Sequence, residues 1–112
     1  RKFNNNRNVL YLKYEAYHPM ADKMLSRVVS EAERKWPIEK LSIIHRIGRI
    51  EVGEISLIVA VTSSHRKEAL AACEYAIDRI KTIVPIWKKE FFEGGEVWVE
   101  SHEDISMREV LQ

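Results

Sequence analysis

Residues 56–80, Ser-Leu-Ile-Val-Ala-Val-Thr-Ser-Ser-His-Arg-Lys-Glu-Ala-Leu-Ala-Ala-Cys-Glu-Tyr-Ala-Ile-Asp-Arg-Ile, decide the fold class. The first seven, Ser56–Thr62, are a nearly continuous apolar run, the pattern of a central strand buried on both faces. Ser63 and Ser64 follow as helix N-cap candidates. Ala69, Ala72, Cys73, Ala76, Ile77 and Ile80 then recur at helical spacing. Because most of that stripe is small, the helix can lie close against its neighbours. One strand delivered directly into one amphipathic helix implies a layered structure containing both element types.

Upstream, Val9–Tyr17 is rich in Val, Leu and Tyr and reads as a strand that His18-Pro19 ends. Pro19 suits the first turn of a helix. Met20, Met24, Leu25, Val28, Val29 and Ala32 continue that helix to about Lys35, where Trp36-Pro37 stops it. Leu41–Ile47 is a second strand, and Gly48 and Gly53 bracket a turn or short ribbon. Downstream, Val84–Phe92 and Glu96–Glu100 are two strands joined at Gly94-Gly95. The order β-α-β-β-α-β-β predicts a single α+β domain over residues 1–112, with two helices packed on one face of a mostly antiparallel sheet.

Composition narrows the class. A chain of 112 residues with 46% hydrophobic and 31% charged residues supports one globular core. No apolar run approaches the roughly 20 residues of a membrane span, and no signal peptide precedes the first strand, so no membrane role is expected. The single cysteine, Cys73, excludes an internal disulfide framework and a cysteine-cluster metal site; it fits a buried small hydrophobe in a reducing cytoplasm. No metal and no cofactor is expected. The net charge of +1 argues against a dedicated nucleic-acid binder. Its distribution is uneven: residues 90–112 carry seven acids and one arginine, a net of −6, leaving +7 on residues 1–89. The basic part therefore favours an anionic partner or substrate. The chain opens on Arg1 inside a polar basic segment, as if an N-terminal segment preceded it.

Two constellations could carry chemistry. At the strand-to-helix junction, His65 and Arg66 stand beside the free N–H groups of a helix N-terminus, a combination suited to phosphate or carboxylate. The alternative there is a capped helix with two solvated side chains. At the other end of the same helix lies Lys81-Thr-Ile-Val-Pro85-Ile-Trp87-Lys88-Lys89-Glu90. A lysine in a last helical turn complements the helix dipole by roughly 0.3–1 kcal/mol without any further role. Lys88 and Lys89 could likewise be solvated strand positions. A bend at Pro85 would nevertheless bring the three amines together on one anionic or electrophilic group, with Glu90 placed to pair with or orient one of them.

The sequence resembles the catalytic large subunit of molybdopterin synthase. The resemblance is carried by Tyr14-Glu15-Ala16-Tyr17-His18-Pro19-Met20, Lys35-Trp36-Pro37, His45-Arg46-Ile47-Gly48, Val61-Thr62-Ser63-Ser64-His65-Arg66, Ala76-Ile77-Asp78 with Lys81, and Val84-Pro85-Ile86-Trp87-Lys88-Lys89-Glu90. These stretches run in order through most of the chain. The resemblance implies an α/β hammerhead-type fold and a sulfur-transfer reaction. In it, the thiocarboxylated C-terminal Gly-Gly of a small ubiquitin-like sulfur-carrier subunit delivers one sulfur at a time to cyclic pyranopterin monophosphate, and two such deliveries form the molybdopterin dithiolene. It also implies a dimer of large subunits with one small subunit at each end, a heterotetramer. Lys81 and Lys88 match the family's two active-site lysines, and Lys89 and Glu90 would line the substrate site with them. His65 and Arg66 match the pair that binds the anionic substrate. Arg1 aligns with an arginine of a substrate-contacting loop, and His102 stands where the family often has a basic residue.

Helix length adds an expectation of its own. His65 and Lys81 are 16 positions apart, ~24 Å along one continuous helix, so each site should combine His65 and Arg66 of one protomer with Lys81 and Lys88 of another. Against this reading stand a non-catalytic adaptor that holds a peptide tail or anionic partner in a basic groove, and a small nucleic-acid-binding domain.

Overall fold

The computed structural model describes residues 3–4 and 7–99, with side chains from residue 8 onward. Arg1 and His102 lie outside the described residues. In chain order the elements are β1 (Phe3–Asn4), β2 (Arg7–Ala16), α1 (His18–Lys35), β3 (Lys40–His45) and β4 (Gly48–Glu51). They continue with β5 (Leu57–Thr62), α2 (Arg66–Ile83), β6 (Ile86–Phe92) and β7 (Gly95–Val99). The fold is α+β, with every strand pair among the described residues antiparallel. The chain divides into two compact units. One comprises the described parts of 1–16, 46–56 and 86–112; the other comprises Tyr17–His45 and Leu57–Pro85.

The first unit is a five-stranded sheet in the order β1-β2-β6-β7, with β4 also paired to β2. The stretch between Gly48 and Gly53 is thus a paired strand followed by a turn. β2 is central because its ten residues are long enough to serve several partners. β6 runs along Val9–Ala16, and β4 runs against Tyr11–Tyr14. β6 and β7 form the hairpin expected at Gly94-Gly95, and Gly94 takes a φ of +98° that an L side chain rarely adopts.

The second unit packs α1 and α2 with the ribbon β3–β5. Pro19 opens α1, where its fixed φ is already helical and its missing N–H is not needed. Trp36 closes that helix, its N–H donating to the carbonyl of Ala32 at 3.0 Å. Val28, Ala32, Ala72 and Ala76 are completely buried. Alanine at three of these four positions lets the helix backbones approach closely, as the small-residue stripe predicts. Glu31 of α1 ties the two helices together. It accepts from Arg79 Nε and Nη2 at 2.9 and 3.1 Å, and from the Tyr75 hydroxyl at 2.8 Å.

Two expectations need correcting. Ser56–Thr62 is not a central strand buried on both faces. Among the described residues β5 pairs with β3 alone, and its side chains alternate between half-buried and exposed. Leu57, Val59 and Val61 share a face with Leu41 and Ile43, while Ile44 (62% exposed) and Ile58 (46% exposed) pair on the open face. A continuous apolar run reports that both faces are apolar, not that both are covered within one chain. The cap of α2 also falls later than Ser63 or Ser64: His65 is the N-cap residue, and Ser63 Oγ accepts the His65 N–H at 3.4 Å.

Candidate functional site

The site begins with the alternation of β6. Ile86, Lys88, Glu90 and Phe92 face one side of the strand, and Trp87, Lys89 and Phe91 the other. Lys88 lies directly opposite Tyr14 of β2, and Glu90 opposite Leu12. In β4, Gly48 lies opposite Tyr14, and Ile50 opposite Leu12. On this face a cavity of about 130 Å3 opens, lined among others by Leu12, Tyr14, Ile50, Ser56 and Lys88. That is close to the roughly 150 Å3 that admits a benzene-sized guest, so it holds part of a ligand rather than a large one entire.

The polar groups here are few and closely set. Ser56 hydrogen-bonds the phenol oxygen of Tyr14. Burial pushes that phenol above its ordinary 10, against the lowering pull of Ser56, and the nearby Glu90 charge adds to the rise. Tyr14 is thus a neutral hydroxyl near pH 7. Glu90 is only 2% exposed, the single buried charged residue among those described. That burial suits a group that orients neighbours from within the sheet better than one that meets a ligand directly.

α2 presents the second constellation. His65 and Arg66 are exposed at its start, with no side-chain cap on the first turn, so the free N–H groups there remain available to an anion. Lys81 is exposed in the last turn. The helix between them is uninterrupted from Arg66 to Ile83, so the ~24 Å separation of its two ends stands. His65 and Lys81 therefore do not meet within one chain.

Lys89 departs from the expected convergence of three amines. As the odd neighbour of Lys88 it points to the opposite face of β6, pairs with Glu96 at 2.9 Å and lies 4.8 Å from the Trp98 ring centre. Strand alternation, which a bend at Pro85 does not override, is the cause. The sequence reading missed Tyr14 and Ser56. The available signal was parity, since Tyr14 shares alternate positions with Leu12 in β2, but which partner strand lies opposite was not readable. Among the described residues no group of three or more His, Cys, Asp or Glu is placed to hold a metal ion, and no helix is long and apolar enough to cross a membrane.

Comparison with known proteins adds the family context. The model of the MoaE protein family matches residues 1–83. The chain is 50% identical over 99 residues to the molybdopterin synthase catalytic subunit of Bacillus subtilis, covering 88% of this chain and 63% of that protein. It thus spans less than two thirds of that relative's length. Among solved structures, molybdopterin synthase from Staphylococcus aureus superposes with a TM-score of 0.85 at 49% identity, covering 88% of this chain and 72% of the other. A complex of subunits 1 and 2 of the molybdopterin-converting factor from Helicobacter pylori shares the fold, with a TM-score of 0.72 at 20% identity over 88% of this chain and 65% of that one.

Proposed function

This chain belongs to the MoaE protein family, and from that premise we propose that it is the catalytic part of a molybdopterin synthase. In this reading it takes sulfur from the thiocarboxylated Gly-Gly terminus of a small ubiquitin-like subunit and delivers it to cyclic pyranopterin monophosphate in the cytoplasm. Lys81 is the central amine, serving as general acid–base or stabilising charge that develops as the sulfur moves. Lys88, in the motif Pro85-Ile86-Trp87-Lys88-Lys89-Glu90, faces the cavity of the sheet and lines the substrate site. His65 and Arg66 receive the anionic end of the substrate, joined by Arg1.

The observation that carries this reading is the family match over residues 1–83, and the stretches that carry the resemblance contain Lys81 and Lys88. The uninterrupted α2 supports a shared site, with His65 and Arg66 of one protomer serving Lys81 and Lys88 of its partner. The apolar open face of the β3–β5 ribbon, with Ile44 and Ile58 exposed, supports association with a second copy. With a small subunit at each end, the assembly is a heterotetramer.

The test is reconstitution. The chain is mixed with the thiocarboxylated small subunit and the precursor, and dithiolene product is followed for wild type and Lys81→Ala. Lys81→Ala is expected to lower the rate by at least about 100-fold, the scale of general acid–base catalysis. Product at the wild-type rate would refute the role of Lys81. Binding of the small subunit without turnover in the wild type would favour a non-catalytic adaptor.

A further inference from the structure

We propose that Tyr14 is a positioning residue for Lys88: its ring, anchored at the hydroxyl by Ser56, is the cavity wall against which the lysine side chain is held. The inference rests on the assignment of Lys88 to the reacting site. A lysine has four rotatable side-chain bonds, and an amine that samples many rotamers serves a reaction poorly unless neighbours restrict it. Directly opposed residues on adjacent strands have Cβ atoms about 4.5–5.5 Å apart. Tyr14 holds that place against Lys88, and both line the same cavity.

The ring needs an anchor because of what lies on its other flank. The residue opposite Tyr14 in β4 is Gly48, which has no side chain to pack against it. Ser56 supplies the fixed point through its hydrogen bond to the phenol. Ser56 is itself fixed, since its carbonyl accepts the Arg46 N–H at 2.9 Å. Arg46, Ser56, Tyr14 and Lys88 thus form one chain of support inside a single compact unit. Because burial keeps the phenol neutral, the support does not change with pH near neutrality.

The experiment is a double-mutant cycle on single-turnover dithiolene formation, using the full chain, its thiocarboxylated partner and the precursor. The variants are Tyr14→Phe, Lys88→Ala and both together. Tyr14→Phe is expected to slow the reaction about 5–10-fold with the KM for the small subunit unchanged. In the Lys88→Ala background the same substitution is expected to add less than about twofold, because the residue it positions is gone. Equal losses in both backgrounds would mark a merely structural tyrosine, and an unimpaired Tyr14→Phe would overturn the inference outright. Lys88→Ala at the full rate is a different result; it removes Lys88 from the reaction and the inference with it. If Tyr14→Phe melts markedly lower than wild type, Ser56→Ala in the same cycle decides, since it removes the anchor while leaving the tyrosine itself unaltered. It is expected to act in the same direction through Lys88 alone.

Discussion

Glu31 shows how much one side chain can be asked to do. Bonds from Arg79, Tyr75 and Arg27 converge on its two oxygens. The Arg79 guanidinium, working against burial and helped by Tyr75 and Arg27, holds the carboxyl at about 2, well below its ordinary 4.5. A folded value below the unfolded one means that the stabilisation is complete above about pH 4.5 and is lost as pH falls towards about 2. Glu31→Gln is therefore expected to cost roughly 1–3 kcal/mol in urea unfolding at pH 7. The gap between variant and wild type should close progressively below pH ~4.5, as the carboxyl of the unfolded chain takes up its proton while the native one stays ionised down to about 2. Glu90 contrasts with it: more deeply buried than Glu31, and on the same side of β6 as Lys88.

At the scale of elements, α2 and β6 use opposite geometries. α2 is a rod whose buried side is alanine, so its packing tolerates little added volume. Ala76→Leu is expected to cost about 1–3 kcal/mol through overpacking. Leu70→Ala on the same helix, 67% exposed, should fall within about 0.5 kcal/mol of wild type; equal losses would show that helix propensity rather than packing sets the cost. The rod also keeps its two functional ends apart. β6 separates neighbours by alternation instead, sending Lys88 into the cavity while Lys89 joins Glu96 and Trp98 on the other face. Adjacent lysines in sequence, both half-buried, are thereby given separate environments, one lining the cavity and one paired with Glu96.

For the whole molecule, the uninterrupted α2 underlies the proposal that a complete site draws on a second copy. Co-expression of His65→Ala and Lys81→Ala chains tests this. Each homodimer lacks one half of every site, whereas a mixed dimer holds one intact site and one doubly defective site. With random pairing, about a quarter of wild-type activity should return in the mixture, although each variant alone is inactive. Activity that stays at the level of the separate variants would place all four residues of a site in one chain.

How much of this was legible depends on the range of the interactions. The two helices, their stops at Trp36 and before Pro85, and the hairpin at Gly94-Gly95 could be read from the chain, because periodicity and turn chemistry act over a few residues. The proposed site residues His65, Arg66, Lys81 and Lys88 likewise stand in short local motifs. Three things were not: that the strands divide between two sheets, that β5 has an open apolar face, and that Tyr14 and Ser56 stand with Lys88 around a cavity. Each depends on pairing between segments tens of residues apart, and local sequence leaves the register and partner of a strand undetermined. The sequence by itself determined the family to which the chain belongs, because the motifs that carry the resemblance are local. Only the tertiary structure decided which of its amines share a face, because strand pairing and helix length, rather than closeness along the chain, fix where a side chain points.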